Sequence, residues 1–430
     1  MTELDSRPGA AGADPVEPAD IDAHITDADV ARARAQIGIP VPAKDRPWVR
    51  APDASSIAHF GWGYGDDNPL YQDGGYGETT RWRSQIAPPL YLIATGIDET
   101  PPLSPELKPL FKGLFPGVGK YYSGVEWEWY RPVYPGDLIL RETCTSDVTE
   151  RQSSFSQGRV VVETYQTLYV NRSGEPIAVR RESYVNAERR GSRDAGKYTG
   201  VERATWTPEA LAAVDARYAE EQRRGAEPRY WEHVGEAEAL QTIAKGPLTT
   251  TDIISMHMAM GWGGYGQGPL RLGWRHRSKM AAFYTPDEWG VPQVVQRLHW
   301  DDRRARDLGL PAPYDYGQMR TCWLSQVVTN WMGDDGWLWK LTCEARRFNF
   351  HGDVQFCSGT VSARRREGPL RVVEVELAAT NQRDEVTTPG TASVILPSVD
   401  GGSARLPPPP DELAERGARL AAESAARRRV

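Results

Sequence analysis

Two stretches of this chain, two hundred positions apart, place the residue types that acid–base chemistry uses in nearly the same phrase. "FGWGYGDDNPLY" runs from Phe60 to Tyr71, and "MGWGGYGQGPLR" from Met260 to Arg271. The first carries two carboxylates and an amide, Asp66, Asp67 and Asn68, directly before Pro69. The second has Gly266, Gln267 and Gly268 there. A carboxylate at such a turn can cap the helix that follows or, facing a substrate, activate water. The second half instead offers a ring that titrates near neutrality, His299, with Asp301 close behind in "LHWDD". Tyr71 reads as packing with a polar tip. Asp137 and Asp353 follow turn glycines in "YPGD" and "FHGD" and read as structural, and His351 as an exposed turn histidine. Trp62 and Trp262 are expected in the core behind each site. The fifteen tryptophans could line a broad apolar pocket or fill two cores.

These residues must be held by elements, and the elements repeat too. After the first phrase, "VEWEWYRPVYPGDLIL" alternates Val125, Trp127 and Trp129 against Glu126 and Glu128, the pattern of a half-buried strand. "YPGD" is a reversal. "RVVVETYQTLYVN" and "PIAVRRESYVN" are further strands. The second phrase leads through "LHWDDRRARDLGLPAPYDYG" to "WLWKLTCEARRFNFHGD", "RVVEVELAATNQ" and "TASVILPS" in the same order. The expected fold is α+β. Between the units, Thr207, Pro208 and Glu209 supply the cap, first-position proline and N-terminal charge of one helix.

The order of motifs resembles a known family. "GDDNPLYQD", Gly65 to Asp73, is similar to the G-D-x-N-P-hydrophobic-His-x-D signature of MaoC-like (R)-specific enoyl-thioester hydratases and dehydratases. "IAPPLYL" and "RPVYPGDLIL" resemble the N-terminal, fatty-acid-synthase-like dehydratase domain of the same family, and "LHWDD", "YDYG" and "RFNFHGD" its C-terminal partner. The resemblance implies two tandem hot-dog units, each a curved antiparallel sheet around one central helix, paired as a pseudo-dimer. Their helices would begin near Pro88 and Gly317. It divides the chain into a disordered tail (1–35), a first unit (36–190), a linker with a helix (191–230), a second unit (231–398) and a C-terminal tail (399–430).

The implied reaction is hydration or dehydration of an enoyl or 3-hydroxyacyl thioester of coenzyme A or an acyl carrier, with no further cofactor and no metal. In the family an Asp and a His hold one water, and an amide at the start of the central helix holds the thioester oxygen. Carried over, the catalytic set is Asp66, His299 and Asp301, with Asn68, Tyr71, Tyr316 and Gly317 binding substrate or oxyanion. Two departures stand out. Tyr71 occupies the histidine position of the first unit, and Val294 the aspartate position of the second, where an insertion from Arg271 to Leu298 splits the signature. Asp66 and His299 need not share a site, so His299 would work with Asp301 or with Arg275, His276 or Lys279 of the insertion. On this reading the first unit holds substrate and the second reacts. The competing readings are a non-catalytic module that binds acyl thioesters or supports a catalytic partner, and a thioesterase using Asp66.

Bulk properties narrow the classes. The chain has 430 residues, 40% hydrophobic and 25% charged, with net charge −7 and no long basic block, which speaks against a nucleic-acid partner. No apolar run approaches the ~20 residues of a membrane span, and the acidic, Pro- and Ala-rich start does not read as a secretory signal. Cys144, Cys322, Cys343 and Cys357 lack metal-ligand spacing. A cytoplasmic protein is expected, and a homodimer is compatible.

Overall fold

A computed structural model describes residues 24–43, 47–152, 159–188, 198, 200–261 and 269–427. Ten strands form one sheet in the order β1-β3-β4-β5-β2-β9-β12-β11-β10-β6. The first unit contributes β1 (Ile97–Asp98), β2 (Gly119–Trp129), β3 (Ile139–Gln152), β4 (Arg159–Asn171) and β5 (Pro176–Ala187). The second contributes β6 (Ala239–Lys245), β9 (Trp337–Glu344), β10 (Gln355–Glu367), β11 (Leu370–Asn381) and β12 (Val386–Ile395). A separate hairpin, β7 (Tyr284–Pro286) and β8 (Pro292–Val294), lies in the insertion. Each unit is thus a meander whose last strand lies beside the strand at the seam, β5 beside β2 and β12 beside β9. The two meanders join where β2 runs antiparallel to β9, with Trp127 opposite Leu341 and Val125 opposite Cys343. The alternation expected in β2 is present: Val125, Trp127 and Trp129 are buried while Glu126 faces solvent.

Among the described residues seven helices have eight residues or more: α1 (Asp27–Arg34), α2 (Ala54–Gly63), α3 (Pro208–Glu220), α4 (Thr250–Met260), α5 (Arg271–Lys279), α6 (Gly317–Met332) and α7 (Asp411–Arg427). α3 starts as its sequence dictates, with the Thr207 side chain accepting from the Ala210 amide. α6 is the central helix of the second unit. It packs on β6, β9, β10, β11 and β12, and all but its first two residues are buried. Among its described residues the first unit has no equivalent. Where a helix was expected from Pro88, only a 3-10 turn forms, Pro89–Ile93. Ala94 closes that turn, the Thr95 hydroxyl then donates to the Val49 carbonyl, and Gly96 turns away at φ +102°. The chain between 69 and 87 fills the vacated room: Trp82 packs on Trp337 with centroids 5.6 Å apart and donates from Nε1 to the Asp334 carbonyl.

The repeated phrase explains itself here. Both copies end helices, α2 and α4, and these helices pack on each other. At the crossing a Cβ on Gly63 would stand 2.4 Å from Ala259 Cβ and 3.1 Å from the Ser255 carbonyl oxygen, so only glycine fits. Gly261 closes α4 in the left-handed region at φ +66°. The two turns also match. The Asp137 carboxylate accepts from the Tyr134 amide, and that of Asp353 from the Phe350 amide, so both aspartates are structural as expected.

Several expectations do not hold. Trp62 is 72% exposed, because α2 turns Ile57 and Phe60 inward and Trp62 outward. His351 is only 4% exposed. The stretch 1–35 is not all tail: α1 buries Val30 and Ala33. Nor is 399–430 a free tail. α7 buries Leu413 and Leu420 against Leu140, Leu168, Val170 and Val179 of the first unit. Residues 1–23, Trp262, Gly263, Gly266, Gln267, Gly268, Arg428 and Arg429 lie outside the described residues. No helix among those described is long and apolar enough to cross a membrane.

Candidate active site

The start of α6 gathers the polar residues of the second unit. His299 ends a 3-10 turn, Val295–His299, and its Nδ1 lies 2.8 Å from the Tyr314 carbonyl oxygen. A carbonyl only accepts, so Nδ1 carries the proton and Nε2 presents a lone pair. The ring packs on Tyr316, with centroids 4.3 Å apart. Burial, together with the nearby His351 and His257 imidazoles, pushes the His299 pKa down to about 4, so the ring is neutral at physiological pH.

Tyr316 caps α6 by position and is 2% exposed. Its hydroxyl is 3.0 Å from Nδ1 of His257, on α4. Gly317 opens the helix, where amides lack intrahelical acceptors and the dipole favours negative charge. A Cβ at Gly317 would stand 2.7 Å from the ring of Tyr122, so this helix end meets β2 of the first unit at the seam. Asp315 braces the segment from behind. Fully buried, it pairs with Arg320 at 3.1 Å and accepts from Asn349 at 3.0 Å. Burial raises its pKa to about 6, against the pull of Arg320. Arg320 in turn donates to the Arg347 carbonyl and to Thr388. This buried network fixes the backbone from Tyr314 to Gly317, and with it the acceptor of His299, the Tyr316 hydroxyl and the Gly317 amide.

The other expected residues lie elsewhere. Asp301 caps the helix Asp302–Asp307 by accepting from the Arg304 amide, and pairs with Arg297 at 2.8 Å. His276 turns to the Tyr284 hydroxyl at 3.1 Å, within the insertion. Arg275 and Lys279 lie on the exposed face of α5. Asp66 is 1% exposed. One oxygen accepts from the Tyr64 hydroxyl and the other from the Asn68 amide, and burial raises its pKa. Asn68 caps the turn Pro69–Gln72. Tyr71 is buried, and burial raises its pKa too. Among the described residues no hydrogen bond joins Asp66 to His299. The room beside Asn68, Leu70 and Tyr71 amounts to about 40 Å³, space for one or two waters. A larger cavity, about 530 Å³, opens in the second unit between α4 and the insertion, with His257 and Trp300 on its wall.

Sequence reasoning missed His257, Tyr122 and Asp315. For His257 a signal existed: counted from the repeated phrase, it stands where the first unit has Ile57, a core residue. A polar residue at a core position of a repeat invites a functional reading. Among the described residues no group of three or more His, Cys, Asp or Glu could hold a metal ion.

Against known proteins, residues 36–180 match the family model of the FAS1-like dehydratase domain region. A MaoC-like dehydratase of known structure is 14% identical, covers 84% of this chain and 99% of its own, and superposes with a TM-score of 0.56. The fold is that of a MaoC-like dehydratase. A MaoC domain protein dehydratase from Chloroflexus aurantiacus J-10-fl is 12% identical (84% and 95% covered, TM-score 0.49). A Mycobacterium tuberculosis protein essential for bacterial survival during infection, described as a double hot-dog, is 10% identical (85% and 97% covered, TM-score 0.45). No curated protein matches the chain. The continuous sheet and the helix α6 packed on the strands of the second unit agree with that fold.

Proposed function

We propose that the second unit hydrates enoyl thioesters, or dehydrates 3-hydroxyacyl thioesters, at the N-terminal end of α6. The observation that carries this reading is His299: a neutral imidazole, fixed through Nδ1 on the Tyr314 carbonyl, beside the first amides of a sixteen-residue helix. In the hydration direction Nε2 takes a proton from water and the hydroxide oxygen bonds to C3. The C2=C3 electron pair moves toward the thioester, whose oxygen gains negative charge at the Gly317 amide and the positive helix end. The imidazolium then returns its proton to C2 on the same face. One residue thereby serves as base and acid in a syn addition, which suits a site where Asp301 is committed to Arg297 and Arg304. Tyr316 and His257 set the face of the ring.

The test follows the ultraviolet absorbance of a trans-2-enoyl-CoA as its double bond is lost. His299→Ala should lower kcat/KM by about 10²-fold or more, the worth of a general base, with unchanged far-ultraviolet circular dichroism. Because the imidazole titrates near 4, wild-type kcat/KM should hold as pH falls from 7 and decline only as it nears 4. A decline centred near 6.5 would mean the catalytic group is a solvated histidine. Equal activity in the variant would leave the acyl-binding module as the better reading, and release of free thiol would favour a thioesterase.

A further inference from the structure

The insertion that splits the second signature is not an inert loop. α5 and the β7–β8 hairpin build one wall of the 530 Å³ cavity, and α4 builds the other. That volume lies within the range of sites for small molecules. The apolar walls come from Ile253, Ile254, Trp274, Val294 and Trp300. Ile254 and Trp274 are each more than half exposed although both are large and apolar. Leu270, beside them on the rim, is 92% exposed. Contiguous apolar exposure of this kind marks a surface that something covers. Polar side chains break the apolar lining at His257, Arg277, Tyr284 and Gln293, and the first two are informative. His257 joins the cavity to the site, since it reaches the hydroxyl of Tyr316, whose ring packs against His299. Arg277 on α5 also faces the cavity. It is half-buried and makes no ion pair or hydrogen bond from its side chain among the described residues. The helix around it carries Arg271, Arg275 and Lys279 and no acidic residue.

We propose that the insertion is the acyl pocket of this chain: an apolar acyl group lies between α4 and α5, its thioester end toward His257 and His299, and Arg277 binds an anionic group of the same ligand. The assignment rests on reading the His299 site as an acyl-thioester site. The anion has two sources of one chemistry, the phosphates of coenzyme A or a carboxylate at the far end of the acyl group. Either gives a guanidinium the planar oxygen pair it binds best.

Calorimetric titration with saturated thioesters tests this apart from turnover, because they have neither the double bond nor the 3-hydroxyl that the proposed reaction needs. Butyryl-, octanoyl- and dodecanoyl-CoA should bind the wild type with affinity rising roughly fourfold per added methylene until the pocket is full. Ile254→Trp, on an exposed position that spares the core, should flatten that rise while leaving butyryl-CoA within about twofold. Trp274→Ala should weaken dodecanoyl-CoA more than butyryl-CoA. Arg277→Leu should cost about tenfold. If the loss appears with dodecanoyl-CoA and not with dodecanoyl-pantetheine, the phosphates are the anion. If it appears with the dodecanedioyl thioester of pantetheine and not with the dodecanoyl one, the distal carboxylate is. Affinity that ignores chain length, or a length dependence that Ile254→Trp leaves intact, overturns the pocket. An Arg277→Leu variant that binds every ligand as the wild type does overturns the anion site. Failure of the lyase reading looks different: trans-2-enoyl-CoA keeps its absorbance while the length dependence of binding persists.

Discussion

Asp66 receives one hydrogen bond on each carboxylate oxygen, from a phenol and from a backbone amide, and almost none of it reaches solvent. Its environment disfavours charge, so a neutral isostere should serve. In Asp66→Asn the side-chain oxygen can still accept from the Asn68 amide, and the new NH₂ can donate to the Tyr64 hydroxyl, which can accept as well as donate. Asp66→Ala instead leaves two buried donors unpaired, at about 1–3 kcal/mol each. Thermal unfolding should therefore place Asp66→Asn close to wild type and Asp66→Ala several degrees below, with kcat little changed in the asparagine variant. A large loss of kcat in Asp66→Asn, with wild-type stability, would put the chemistry back in the first unit. The contrast with His299 shows what single residues disclose. The type and spacing of His299 marked it, and its ring lies against Tyr316, just before α6 begins. Asp66 and Asp301 had the same marks yet spend both oxygens on turns, caps and Arg297. A sequence records that a carboxylate is present and leaves open which donors reach it first.

α2 and α4 touch through the repeated phrase, and the contact is tight enough to be read from one atom. Gly63→Ala would place a methyl 2.4 Å from that of Ala259. Overpacking of this kind costs about 1–3 kcal/mol. Ala259→Gly alone should cost about 1 kcal/mol through helix propensity. Together the two changes should cost less than the sum of the separate losses, because the second removes the atom the first strikes. Additive losses in denaturant titrations would mean the helices do not meet there. Elements with local signals were legible in this way. The Thr207–Pro208–Glu209 start of α3, the alternation of β2 and the paired Pro-Gly-Asp and His-Gly-Asp turns are all written in a few consecutive residues. The missing central helix of the first unit was not legible. "PPLYLIATG" can start a helix, and what stops it is a distant acceptor, the Val49 carbonyl that Thr95 must reach. Nor was the role of the insertion, whose apolar residues make sense only once α4 lies opposite them.

At the scale of the molecule the two units share what would otherwise be two cores. One cluster of buried side chains includes Phe60, Trp82 and Trp129 from the first unit with Trp323, Trp337 and Val372 from the second. Indole donors cross the boundary: Trp337 Nε1 bonds to the Trp129 carbonyl and Trp323 Nε1 to that of Tyr64. The sheet is hydrogen-bonded across β2 and β9. α7, the last helix of the chain, then returns to lie on β3, β4 and β5 of the first unit. There the backbone comes so close that a Cβ on Gly417 would stand 2.2 Å from the Gly174 carbonyl oxygen. With the core, the sheet and the C-terminal helix all spanning the boundary, neither unit can unfold without exposing apolar surface of the other. Unfolding should accordingly be one transition, the near-ultraviolet signal of the tryptophans and the far-ultraviolet signal of the backbone falling together. Deleting residues 411–430 removes Leu413 and Leu420, each worth about 1.5–3 kcal/mol when fully buried. The shortened chain should still unfold in one step, at a midpoint several degrees lower, with faster amide hydrogen exchange concentrated in β3, β4 and β5. Two separate transitions in the full chain would show that the shared cluster does not couple the units. A deletion that leaves the exchange of those strands unchanged would show that α7 rests on the sheet without supporting it.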